Sequence, residues 1–433
     1  MSLKPYLSWK TLVQNKSLNS IAMLMSSTVL SQILPILFFP ILSRLYSPAD
    51  YGVLGLFMSI SLLIVVFSCL QLNLAILTPK DAKEALNLFL VGLYFCVILS
   101  SAMLIVIFFF KKKLSFLLNS PELEDWLFII PPLVFVSGSN IQLTAWFNRL
   151  GDFKIISISR IVISIVTVAL NLLLFFFIKG PGALIISYTI GALISFFLLA
   201  RKFFKIQKLS FITIADAIMV LKKYRNFPLY TLPTELISTL SQQLPMYIFS
   251  IYSGAESVGL FSRSRQLLGL PSAYISGAVS EVYRQKASIH FQNDRVALRK
   301  LFIRTTLYLI GISIVPFFIL GLFSPEIYAI LFGEKWREAG VYSQCLVLMY
   351  FVKFIVTPPS YVFYFFNKQR LDLLIQILIM ASTGCSLAIG LGYLKSEILA
   401  LILFSTSYAF LFSIYGFYSY RLVTKKYDKN RLL

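Results

Sequence analysis

Arg160, Glu235, Arg265, Arg304 and Lys353 sit inside long apolar runs, and their depth decides what chemistry they can do. At 1.5 Å of helix rise per residue, Glu235 and Arg265 lie roughly 12 to 14 Å from the ends of their runs, Lys353 roughly 20 Å and Arg160 roughly 8 Å. Arg304 lies only a few residues in, where its long stem reaches the interface. A charge deep in hydrocarbon costs at least about 2.5 to 3.5 kcal/mol, so it is kept where it has a partner or a wet cavity. The deep cations outnumber the one deep carboxylate, and the surplus suits an anion such as a phosphate, which guanidinium grips in bidentate fashion. Arg160, Arg265 and Lys353 are therefore the predicted phosphate-binding residues. Glu235 is either an ion-coupling carboxylate or the counter-charge of one of these cations.

Polar residues accompany these charges at helical spacing. Ser157, Arg160, Ser164, Thr167 and Asn171 recur at steps of three and four, as do Thr231, Glu235, Ser238 and Gln242. Ser262, Arg265, Ser272 and Ser276, and then Tyr350, Lys353 and Thr357, repeat the pattern. Such stripes occupy one helix face and point away from lipid. Ser164, Thr167, Asn171, Ser238 and Gln242 are the predicted polar lining of a cavity. Enzyme chemistry finds little to work with: His290 stands in a basic loop without Cys, Asp or Glu partners, and no G-x-x-x-x-G-K-[ST] phosphate loop is present. Cys69, Cys96, Cys345 and Cys385 lie in apolar runs without metal-ligand spacing and read as buried small hydrophobes. No metal, cofactor or catalytic residue is expected.

The elements that position these residues follow from composition. The chain has 433 residues, 58% hydrophobic and 13% charged, with a mean hydropathy of +0.82. Only a bilayer can solvate that much apolar surface. About twelve stretches are long enough to cross a core of about 30 Å, near 20–41, 51–77, 86–110, 125–147, 155–178, 183–200, 226–251, 257–283, 301–324, 339–363, 371–393 and 398–420. Lipid has no partners for an open strand edge, so these are helices and the fold class is an all-α polytopic membrane bundle. The first, after Lys4, Lys10 and Lys16, reads as a retained span rather than a cleaved signal.

Lys and Arg concentrate on the side that bears both termini, which the positive-inside rule places in the cytoplasm. One loop on the outer side dissents, that of Lys111, Lys112 and Lys113, partly offset by Glu122, Glu124 and Asp125. The net charge of +21 sits mostly beside spans, where it sets topology and meets anionic headgroups, so membrane lipids and not nucleic acid are the expected partners.

Internal echoes divide the chain in two. "SQILPILFF" at Ser31 to Phe39 returns as "SQQLPMYIF" at Ser241 to Phe249, and "LYSPADYGVLGLF" at Leu45 to Phe57 as "IYSGAESVGLFSR" at Ile251 to Arg263. "FNRLGDF" at Phe147 to Phe153 is answered by "FNKQRLD" at Phe366 to Asp372. Six spans per half start each half on the same side, which predicts parallel repeats around a central cavity. The expected division is a six-helix lobe over 1–200, a basic cytoplasmic linker over 201–225 and a second six-helix lobe over 226–433. Pro35 and Pro40 in one lobe, and Pro228, Pro233 and Pro245 in the other, invite bends at matching places.

With "SRLYSPADYG" at Ser43 to Gly52, "GAESVGLFS" at Gly254 to Ser262 and "LFGEKWREAG" at Leu331 to Gly340, the chain resembles the polysaccharide flippases of the multidrug/oligosaccharidyl-lipid/polysaccharide exporter superfamily, the O-antigen (Wzx-type) translocases. Length, span number and motif order match along nearly the whole chain. The resemblance implies two six-helix lobes open alternately to either side, and an undecaprenyl-pyrophosphate-linked oligosaccharide, an O-antigen or capsule repeat unit, moved from the cytoplasmic to the periplasmic leaflet. It also implies a cationic cavity, and a polysaccharide polymerase and chain-length regulator as partners. Arg44, Pro48, Asp50, Tyr51 and Gly52 carry over as a structural first-loop motif. Two other readings stay open: a cation-coupled multidrug exporter of the same superfamily, which would prefer an acidic cavity, and a membrane-embedded polysaccharide polymerase, which would need a larger extramembrane loop.

Overall fold

A chain whose apolar runs meet lipid satisfies its backbone within each run, and helices dominate accordingly. The computed structural model describes residues 16–207, 213–366 and 368–424, and no strand occurs among them. In order the α-helices are α1 Lys16–Leu45, α2 Pro48–Ser68, α3 Leu72–Ala75, α4 Ala82–Leu117, α5 Ile130–Leu150, α6 Phe153–Leu174, α7 Gly182–Ile206 and α8 Ile214–Lys223. They continue as α9 Leu232–Pro271, α10 Gly277–Asn293, α11 Arg295–Phe332, α12 Arg337–Val356, α13 Val362–Phe365, α14 Gln369–Ala388 and α15 Glu397–Thr424. Nine helical stretches among the described residues are long and apolar enough to cross a membrane, with Val29–Leu45 a shorter apolar segment. The chain is an all-α multi-pass membrane protein. Lys4, Lys10 and the C-terminal tail from 425, which bear on orientation, lie outside the described residues.

The described residues divide into two compact units, the first ending at Gln243 and the second beginning at Leu244, inside α9. In the first, α1 and α7 both pack on α6, and α4 packs on α5. Phe89 stacks on Phe203 at 4.5 Å between ring centres, and Trp146 meets Phe203 edge-on at 5.5 Å. That core is tied at the same end by Lys202 to Asp152 at 2.5 Å, Lys223 to Glu84, and Arg149 Nη1 donating to the Ile76 carbonyl at 2.9 Å. In the second unit α12 packs on α11 and α15, and α14 on α15. Phe249 stacks on Phe261 and Phe363 on Tyr415. Outward faces are apolar, as on α4, where Phe108 and Phe109 are exposed and lipid is the solvent.

Local chemistry sets the boundaries. Ser47 caps α2 in a capping box with Asp50, its Oγ accepting from the Asp50 N–H at 3.1 Å while Asp50 Oδ2 accepts from the Ser47 N–H at 2.8 Å, and Pro48 takes the first helical position. The echoing Ser253-Gly254-Ala255-Glu256 also interrupts a helix: Gly254 has φ 82° inside α9, a conformation only glycine adopts without strain. Two sequence expectations change here. Lys111 to Lys113 continue α4 instead of forming a loop, and Lys111 pairs with Glu124 at 3.2 Å and lies over the Phe128 ring. His290 belongs to the last turn of α10, because the polar sequence around it still has helical propensity beyond the apolar run.

Candidate functional site

The second unit brings Arg265 and Lys353 together. Arg265 projects from α9 with its guanidinium over the Phe261 ring at 5.5 Å, and Lys353 from the last turn of α12 with its ammonium 5.9 Å from the Tyr350 ring centre. The Arg265 guanidinium reaches the Tyr350 phenol, and its charge acts on both Lys353 and Tyr408. Two like charges thus share a half-buried site walled by aromatic rings, an arrangement that an anion relieves. Tyrosine hydroxyls beside them are donors suited to phosphate oxygens.

Arg160 belongs to the first unit. It is exposed on α6. Its stripe companions Ser164, Thr167 and Asn171 pack between helices: Thr167 Oγ1 lies against Gly191 of α7, where an added Cβ would come within 2.6 Å, and the Asn171 carbonyl accepts from the Tyr46 hydroxyl at 2.6 Å. Ser164 Oγ, Thr167 Oγ1 and Asn171 Oδ1 are buried without a hydrogen bond to the described residues. Ser157 is buried on the same face.

Glu235 lines a cavity of about 380 Å³ in the first unit. Thr239, Gln242 and Gln243 follow it along α9, and Gln71 and Asn73 face them from the α2–α3 junction, with Leu62, Val65, Val66 and Ile141 as apolar walls. Ser238 adjoins, accepting from Gln242 Nε2 at 3.4 Å. Gln243 Oε1 accepts from Ser59 Oγ at 3.0 Å, which fixes one side of the cavity. A π-helical turn at Phe227–Thr231 precedes this part of α9, a local widening found where helices bend or bind.

Gln71 and Asn73 escape stripe counting, because one caps and the other lies within a helix of four residues too short to show a period. Their signal is the polar pair inside "LQLNLAIL". Leu70 and Gln71 both adopt left-handed backbone, φ 51° and 58°, at a cost of about 1 to 2 kcal/mol each for non-glycine residues. Cys69, on the cavity wall, and Cys96 are buried with their sulfurs 3.4 Å apart, whereas Cys345 is half-buried and Cys385 exposed. The expectation of burial fails for Cys385 because its face of α14 looks outward. Among the described residues no group of three or more His, Cys, Asp or Glu gathers as a metal site.

Comparison with known proteins agrees with this architecture. Residues 41–341 match the family described as polysaccharide biosynthesis protein. Over 115 residues the chain is 24% identical to the amylovoran biosynthesis protein AmsL of Erwinia amylovora, a match covering 27% of this chain and only 29% of that protein. An inward-facing multidrug resistance MATE family transporter of the MOP superfamily superposes with a TM-score of 0.74 at 14% identity, over 90% of this chain and 94% of its own. The lipid II flippase MurJ, in an inward closed conformation, superposes with a TM-score of 0.71 at 17% identity, over 92% of this chain and 87% of its own. The chain belongs to the polysaccharide biosynthesis protein family and carries the all-helical fold of the MOP superfamily transporters.

Proposed function

We propose that the chain flips an undecaprenyl-pyrophosphate-linked oligosaccharide from the cytoplasmic to the periplasmic leaflet by alternating access of two six-helix halves. The observation that carries this reading is the pairing of Arg265 with Lys353 beside Tyr350 and Tyr408. Like charges held together in an apolar bundle are costly unless an anion visits them, and the pyrophosphate is the anionic part of such a substrate. Membership of a polysaccharide biosynthesis family supports the saccharide part, and the fold shared with MurJ supports movement of a lipid-linked molecule. The breaks at Ser47-Pro48 and Ser253-Gly254 support two related halves.

The test is genetic and biochemical. Deletion of the gene should abolish surface polysaccharide, and Arg265→Ala at normal protein level should fail to restore it. Arg265→Lys should restore only part, since lysine offers a point charge in place of a fork. Wild-type polysaccharide from a well-expressed Arg265→Ala, Lys353→Ala double variant rules the reading out. A second reading, a cation-coupled drug exporter of the same superfamily, draws on Glu235 in its cavity. It predicts drug hypersensitivity on deletion with surface polysaccharide intact.

A further inference from the structure

The cavity of the first unit has a chemistry unlike that of the cation pair. Its polar wall consists of the carboxamides of Gln71, Asn73, Gln242 and Gln243, the hydroxyl of Thr239 and the carboxylate of Glu235, and among the described residues no Lys or Arg lines it. A carboxylate without a cation beside it on the wall repels phosphate. Carboxamides each offer two donors and an acceptor, the pattern that matches hydroxyl groups, which both donate and accept. Val65, Val66 and Ile141 supply the apolar surface on which C–H faces of a ring can lie.

Two further observations show that the wall is built for a ligand. Left-handed backbone at Leu70 and Gln71 turns the chain between α2 and α3, and Gln71 lines the cavity from that turn. Backbone held in a sparse region by its surroundings clusters at ligand sites. The Gln243 amide is held by Ser59, so its place on the wall is fixed before anything binds. The volume of about 380 Å³ lies within the range of about 300 to 1,000 Å³ for small-molecule sites.

We infer that this amide-lined cavity is a saccharide subsite, holding uncharged, hydroxyl-rich sugar rings of the transported lipid. The inference rests on the flippase reading and deepens it: the carboxamides of Gln71, Asn73 and Gln242 exchange hydrogen bonds with sugar hydroxyls, and the Glu235 carboxylate accepts from them.

The probe is the phosphate-free oligosaccharide repeat released by hydrolysis from the cell's own surface polysaccharide. Its binding to the full chain in lipid nanodiscs is read by saturation-transfer NMR. Asn73→Leu and Gln242→Leu should each weaken binding about 5- to 10-fold, the loss of roughly one hydrogen bond. Asn73→Ser and Gln242→Asn should weaken it less, which separates recognition from misfolding. Gln344→Leu, a carboxamide removed in the other unit, should change nothing. Three results overturn the inference: no binding of the phosphate-free oligosaccharide to the wild type, unchanged binding to the Asn73→Leu, Gln242→Leu double variant, or displacement of the sugar by tetraphenylphosphonium, which marks a site for lipophilic cations. The flippase reading fails separately, if deletion leaves surface polysaccharide intact.

Discussion

Gln71 shows how a single side chain trades stability for position. With φ 58° and ψ 16° it occupies a backbone region that costs non-glycine residues about 1 to 2 kcal/mol. Its one described side-chain hydrogen bond, from Nε2 to the Val66 carbonyl, is long at 3.4 Å. Glycine there would remove the strain along with the amide. Gln71→Gly should therefore stabilise the purified protein by about 0.5 to 1 kcal/mol, after allowance for glycine's looser unfolded chain, and should lower transport several-fold. Thermal unfolding in detergent and surface polysaccharide measured on the same variant check both signs. A variant that is less stable and fully active contradicts the positioning role. Depth in an apolar run is legible from sequence, and it singles out Arg265, Lys353 and Glu235. Adjacency is not: nothing in the spacing of Arg265 and Lys353, on α9 and α12, says that they meet, or that Arg160 lies in the other unit. The Ser164, Thr167 and Asn171 stripe is legible as a polar face, but helical periodicity cannot distinguish a neighbouring helix from a water-filled cavity.

Helices that touch backbone to backbone need small residues, and Gly340 is such a point. A Cβ there would stand 2.5 Å from Pro325 Cα and 2.6 Å from the Pro325 nitrogen and the Ser324 carbonyl oxygen, so α11 and α12 would have to part. Close approach of this kind replaces the hydrophobic effect as the force between helices in lipid. Gly340→Ala should destabilise by about 1 to 3 kcal/mol, the usual cost of overpacking. Gly311→Ala is the counterpart on α11, where nothing lies within 4 Å, and it should stabilise by about 0.5 to 1 kcal/mol through helix propensity. Fluorescence-detected thermal stability of the two variants should move in opposite directions. The same shift for both would mean that packing at Pro325 does not limit the unit. Nine of the twelve stretches read from hydropathy return as helices long enough to span among the described residues, whereas the interruption at Gly254 is a matter of backbone conformation and the run of α4 through Lys111 is accompanied by contacts with Glu124 and Phe128 that no hydropathy window contains.

At the scale of the whole molecule, transport needs a driving force, and the chain offers Glu235 as the candidate coupling group. Of the two roles open to it, counter-charge and ion carrier, the surroundings favour the second. None of the described ion pairs includes Glu235, and its cavity neighbours are amides, a hydroxyl and apolar walls. A static counter-charge would be expected against a cation, and its removal would leave that cation unpaired. A carboxylate that takes up and releases a proton needs no such partner, and Gln would replace it without loss of folding. Glu235→Gln should therefore reach wild-type levels in the membrane and unfold at the wild-type temperature. In proteoliposomes it should move lipid-linked saccharide at a rate that no longer responds to an imposed pH gradient, while the wild type responds. Full response of the variant to the gradient eliminates Glu235 as the coupling group, and scarcity or early unfolding of the variant returns it to the counter-charge role.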